Sequence, residues 1–152
     1  MIEPLKPIGV GFKGKLVSDY VELAEWPVVA LAGVVILIYL TSLWLEMSYY
    51  GLIVPLVFLT QVLAAAGLAY WRGVINQEVW PQVIILTALV GLVAGLVSAM
   101  LALFRFWHFW LIFNLVTEPV WSAGLAIVVS LLTLGFFHLP GALRPWFNKI
   151  KK

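Results

Sequence analysis

The stretch from Trp80 to Phe104, WPQVIILTALVGLVAGLVSAMLALF, runs for twenty-five residues without an Asp, Glu, Lys or Arg. As an α-helix it would measure about 37 Å, more than the roughly 30 Å of a bilayer's hydrocarbon core. A helix apolar on every side has no face to offer water, so its solvent is lipid or the inside of a protein. Gly91 and Gly95 lie one turn apart and Ala99 follows one turn later. Small residues at this spacing let a second backbone come close, which matters most in lipid, where no hydrophobic drive holds one helix to another. Those three residues predict a helix-packing face.

The rest of the chain agrees with a membrane setting. Of 152 residues 64% are apolar and 11% charged, and the mean hydropathy is +1.08. Soluble domains are about 45–50% apolar and about 25% charged, and a chain this short could not hide the excess in one core. Three further spans are predicted at 27–45, 51–71 and 119–137, giving with 80–104 an all-α integral membrane protein, a four-transmembrane-helix bundle. The last span carries a second row of small residues, Ser122, Ala126 and Ser130. Pro27, Pro81 and Pro119 each fall where a first helical turn would place them, since N–H groups there have no intrahelical partner.

Three segments read as surface-lying. Residues 1–25 form an arm: an irregular part with two Pro and three Gly up to residue 17, then a short amphipathic helix whose Asp19, Glu22 and Glu25 make an acidic stripe. The connection at 105–117 holds Arg105, Trp107, His108, Trp110 and Asn114, and twelve residues from 106 to 117 span only about 18 Å, too short to cross. It is expected to be an interfacial aromatic helix leading into the fourth span, with Thr117 or Glu118 as its cap. Residues 138–152 open on His-Leu-Pro-Gly, a breaker, and continue as a basic tail in which Arg144, Lys149, Lys151 and Lys152 suit anionic headgroups.

Charge orients the bundle. Of nine Lys and Arg, three lie in 1–15, four in 144–152 and one at Arg72 in the loop 72–79, leaving only Arg105 for the opposite side. The positive-inside rule then predicts a multi-pass cell-membrane protein with both termini cytoplasmic. The first apolar run is not followed by a cleavage site of small residues, so it reads as an uncleaved span.

Chemistry is sparse. There is no Cys, hence no disulfide or thiolate site. Gly9, Gly11, Gly14 and Lys15 match phosphate-loop patterns formally, but the preceding segment contains Pro4 and Pro7 and cannot be the buried strand such loops need. Span centres hold no ionisable residue; their deepest polar groups are Gln61, Thr87, Ser98 and Ser130. That excludes a buried-carboxylate pump or antiporter. His108 is the one candidate haem or pigment ligand; His138 falls at the other membrane face, so the two cannot share a metal. Glu46, Arg105, His108, Asn114 and Glu118 are the only set that a membrane-embedded enzyme could gather, and each has a simpler boundary role. No resident cofactor and no nucleic-acid partner are expected.

The expectation is therefore a non-catalytic accessory, scaffold or assembly subunit of a larger membrane complex, or a lipid-organising protein, with lipids and other membrane subunits or itself as partners. The alternative is a small homo-oligomeric transporter or channel with its path between protomers. Gln61, Thr87 and Ser98 would line that path and Glu118 would lie near its mouth. In either case Arg105, Trp107, Trp110, Asn114 and Glu118 are the expected partner contacts.

Overall fold

The computed structural model describes residues 11–12, 15–45, 48–106, 109 and 111–150, with side-chain surroundings over 18–45, 48, 50–106, 109 and 111–138. Strands β1 (Gly11–Phe12) and β2 (Lys15–Leu16) pair antiparallel, Gly11 opposite Leu16 and Phe12 opposite Lys15. Four long helices follow: α1 (Val17–Trp44), α2 (Val54–Ala69), α3 (Trp80–Phe106) and α4 (Leu111–Ile150). Tyr49–Ile53 and Tyr70–Ile75 continue α2 at either end as π-helical turns. The fold is an all-α four-helix bundle whose helices are each long and apolar enough to cross a membrane.

The helices alternate in direction. The contact between α3 and α4 is the most extensive; α1 lies against α2 and α3, and α4 against α3 and α2. In its most apolar stretch α3 is half buried, against 22% for α1 and α4 and 28% for α2, which makes α3 the central element. Hydropathy does not mark the inner face of α3, because nearly every residue is apolar; beyond Val83, Leu86 and Val90, which are buried near its start, small size does. Thr87, Gly91, Ala94, Gly95, Ser98, Ala99 and Ala102 are buried, while Leu92, Leu96, Met100 and Phe104 face out. Bulky apolar side chains lose nothing by facing lipid, whereas small ones inside admit close backbones.

Three boundaries differ from the sequence reading, all at prolines. The amphipathic segment 18–25 is not a separate interfacial helix: α1 is unbroken from Val17 to Trp44, with Pro27 in its interior. The segment 105–117 is not a separate element either. Arg105 and Phe106 end α3, residues 111–117 begin α4, and Pro119 lies inside that helix rather than in its first turn. Likewise α4 runs through the His138-Leu139-Pro140-Gly141 breaker as far as Ile150. The cost of a break is common to all three. Proline removes one N–H donor, whereas ending and restarting a helix orphans up to about four N–H and four C=O groups at each break. Where lipid leaves no water to satisfy them, as at Pro119 within the fourth span, keeping the helix is cheaper.

The loop 72–79 is also shorter than its composition suggests, because the π-helical turn carries the chain to Ile75. Asn76 N–H bonds back to the Trp71 carbonyl at 3.0 Å and Glu78 N–H to that of Arg72 at 3.0 Å. Gln77 adopts φ of 53°, the left-handed conformation that reverses the chain. Arg72 Nη1 meets Glu78 Oε1 at 2.9 Å across this loop and its guanidinium stacks 4.9 Å over the Trp71 ring.

Candidate functional site

The two rows of small residues meet. A methyl group added to Gly91 would stand 2.7 Å from the Ser122 carbonyl oxygen and 2.9 Å from the Ala126 Cβ. One on Gly95 would stand 2.7 Å from the Glu118 carbonyl oxygen, 2.7 Å from the Ser122 Oγ and 2.8 Å from the Pro119 Cα. Ala99, Ser122, Ala126 and Ser130 are all buried beside them. Only the absence of a Cβ at these two positions lets the backbones of α3 and α4 come this close. All six predicted packing residues therefore lie buried on α3 and α4, with the direct approach at Gly91 and Gly95.

The predicted pore-lining residues are inside the bundle and bonded within the chain. Ser122 Oγ of α4 donates to Gln61 Oε1 of α2 at 3.1 Å. The hydroxyls of Thr87 and Ser130 lie 2.8 Å apart, joining α3 to α4, and each also faces a carbonyl of its own helix, Ile84 at 3.0 Å and Ala126 at 2.7 Å. A hydroxyl carries one proton, so only one of these two side chains can bridge at a time while the other bonds its own backbone. Tyr39 and Ser98 hydroxyls are 3.4 Å apart, tying α1 to α3. Each bridge pairs neutral groups, and none supplies a nucleophile with a base beside it.

Space inside matches that chemistry. Between Gln61, Thr87, Gly91 and Ser122 lies a void of about 10 Å³. That is room for one water at most, with no passage for a solute.

Outside the core, Asn114 Nδ2 donates to Glu118 Oε1 at 3.1 Å, and Thr117 Oγ1 donates to the Phe113 carbonyl at 3.1 Å. Both are bonds between successive turns of α4, so neither Thr117 nor Glu118 caps a helix start. Arg105 reaches over the Phe106 ring at 5.2 Å, its Nε buried without a hydrogen-bond partner. Glu46, Trp107, His108 and Trp110 lie outside the described residues, as do Gly9, Gly14, Lys151, Lys152 and the side chains of Arg144 and Lys149. The haem-ligand and anionic-lipid readings fall there. Among the described residues no group of three or more His, Cys, Asp or Glu is placed to hold a metal ion.

No family model, curated protein or solved structure matches this chain. Its function has to be argued from its own geometry.

Sequence reasoning passed over Tyr39 and Ser42, both buried, the second donating to the Tyr39 carbonyl at 2.6 Å. It also passed over the α2–α4 seam where Gly73 meets Leu134. A tyrosine at mid-span followed three residues later by a serine was the available signal for the first. The second pairs residues sixty-one apart in sequence and has no local signature.

The Gln61–Ser122 bridge makes a measurable prediction. Ser122→Ala and Gln61→Leu, taken through a double-mutant cycle by unfolding in mixed micelles, should show a coupling of about 0.6–2 kcal/mol, the range of interhelical hydrogen bonds in membranes. Strictly additive effects would mean that the two side chains do not bond.

Proposed function

We propose that this chain is a non-catalytic scaffold or assembly subunit, held laterally in a larger complex of the cell membrane with both termini cytoplasmic. One observation carries the proposal. The polar groups deepest in the spans, Gln61, Thr87, Ser98, Ser122 and Ser130, bond to one another or to Tyr39 across helix contacts of the same chain. Polar groups used in this way set the register of a bundle and leave nothing to bind or move a solute. The reading is further supported by span centres without ionisable residues and by the absence of room for a solute beside Gln61. A path between protomers would have to run over outer faces whose exposed residues are Leu, Val, Phe and Trp for most of their length.

The experiment is extraction of the full chain from its native membrane in mild detergent, followed by native mass measurement and identification of whatever travels with it. The expected result is a heteromeric particle of defined stoichiometry. A homo-oligomer that supports solute flux in liposomes would overturn the proposal, and so would a monomer that recruits no other protein.

A further inference from the structure

A groove runs along the outside of the α1–α2 contact and changes character along its length. Its apolar part, about 620 Å³, is walled by Ala30, Val34, Leu63 and Gly67, with Leu31 and Leu68 beneath. Its polar part, about 650 Å³, lies where α1 begins and α2 ends and is lined by Asp19, Glu22, Glu25 and Arg72. Trp26, Pro27 and Trp71 belong to both parts, so the two are one continuous channel open to the outside. Each part falls within the roughly 300–1,000 Å³ of ordinary ligand sites. Ala30, Ala64 and Gly67 leave its wall open, and a side chain on Gly67 would meet nothing within 4 Å.

We propose that this groove holds one phospholipid whose headgroup ends in an ammonium group, such as phosphatidylethanolamine. The groove is an amphipathic slot whose charge complements such a lipid. Among the described residues that line the mouth three are carboxylates, Asp19, Glu22 and Glu25, and one is a cation, Arg72, which is paired with Glu78 at 2.9 Å and stacked on Trp71. The described lining is therefore negative and disfavours phosphatidylglycerol and other anionic heads, while Glu22 and Glu25 attract an ammonium group. Indole rings favour cations on their faces and settle at the boundary between headgroups and acyl chains, which is the level that Trp26 and Trp71 occupy between the two parts of the groove. Arg72, beside Trp71, stands where the lipid's phosphodiester would lie. The apolar part takes an acyl chain. This site stands whether or not the chain has protein partners.

The test is native mass spectrometry of the full chain in mild detergent, titrated separately with phosphatidylethanolamine and phosphatidylglycerol of identical acyl chains. The wild type should bind its first phosphatidylethanolamine about five- to tenfold more tightly than phosphatidylglycerol, the scale set by exposed ion pairs and cation–π contacts acting together. The double variant Glu22→Gln/Glu25→Gln should lose that preference, and Gly67→Leu, which fills the groove, should weaken binding of both lipids. Trp26→Ala is a second groove variant, since Trp26 is 79% exposed and its loss leaves the core intact. Equal binding of the two lipids by the wild type, a preference for phosphatidylglycerol, or undiminished binding in both Gly67→Leu and Trp26→Ala would overturn the proposal. A basic peptide or second copy seated there in place of lipid would overturn it equally.

Discussion

Gly91→Leu or Gly95→Leu should abolish the folded bundle, and even Gly→Ala at either position should cost about 1–3 kcal/mol, the usual scale of forced overpacking. The atoms that a new Cβ would meet are what make the effect large. At Gly95 they include the Glu118 carbonyl oxygen and the Pro119 Cα, and at Gly91 the Ser122 carbonyl oxygen, all between 2.7 and 2.8 Å away. These are backbone atoms of a long helix, so relief requires moving α4 as a whole away from α3. That motion would separate Thr87 from Ser130 and stretch the Ser122–Gln61 bond. Gly67 and Gly124 are the controls, because a methyl on either meets nothing within 4 Å. Alanine there should be neutral, or stabilise by up to about 1 kcal/mol through helix propensity. Unfolding curves in mixed micelles and elution on gel filtration would read all six variants. Tolerance of leucine at both 91 and 95 would show that α3 and α4 do not meet at this face.

This face was also the most legible part of the sequence. Gly91, Gly95 and Ala99, with Ser122, Ala126 and Ser130, announce themselves by size and spacing alone, because small residues in an apolar helix have few other uses. Helix ends were less legible. Pro27, Pro119 and Pro140 look like starts and stops when weighed as they would be in water, where a broken helix recovers its lost bonds from solvent. The structure keeps all three inside continuous helices. Polar residues were found but not their roles. Gln61 reads equally well as a pore residue or a helix bridge until its register against Ser122 is known, and register between helices is set by packing rather than by anything local. The α1–α2 groove had half a signal: the Asp19, Glu22 and Glu25 stripe runs directly into Trp26, and Trp71 precedes Arg72. Only the fold places those two segments together.

Leu134→Ala should destabilise the protein by about 2 kcal/mol, toward the lower end of what cavities of this kind cost in soluble cores. Leu134 is fully buried against Ala69 and Val83, at the end of the bundle where α2 leaves and α3 begins. The unfolded reference of a membrane helix is already in lipid, so the transfer part of the usual penalty is absent and the lost packing contacts remain. Gly73 allows a sharper version of the test. A methyl on Gly73 would overlap the Leu134 Cδ2, the far end of a flexible side chain, and would touch no backbone. Gly73→Ala alone should therefore cost about 1 kcal/mol at most, since the leucine can rotate and alanine favours a helical backbone. In the double variant the new methyl enters the space that Leu134 vacated. The combined loss should be smaller than that of Leu134→Ala alone, a coupling of the sign expected when one change fills the cavity made by the other. Additive losses would mean that Gly73 and Leu134 do not pack together. The π-helical turn from Tyr70 to Ile75 would then need another reason to hold a glycine where it comes nearest to α4.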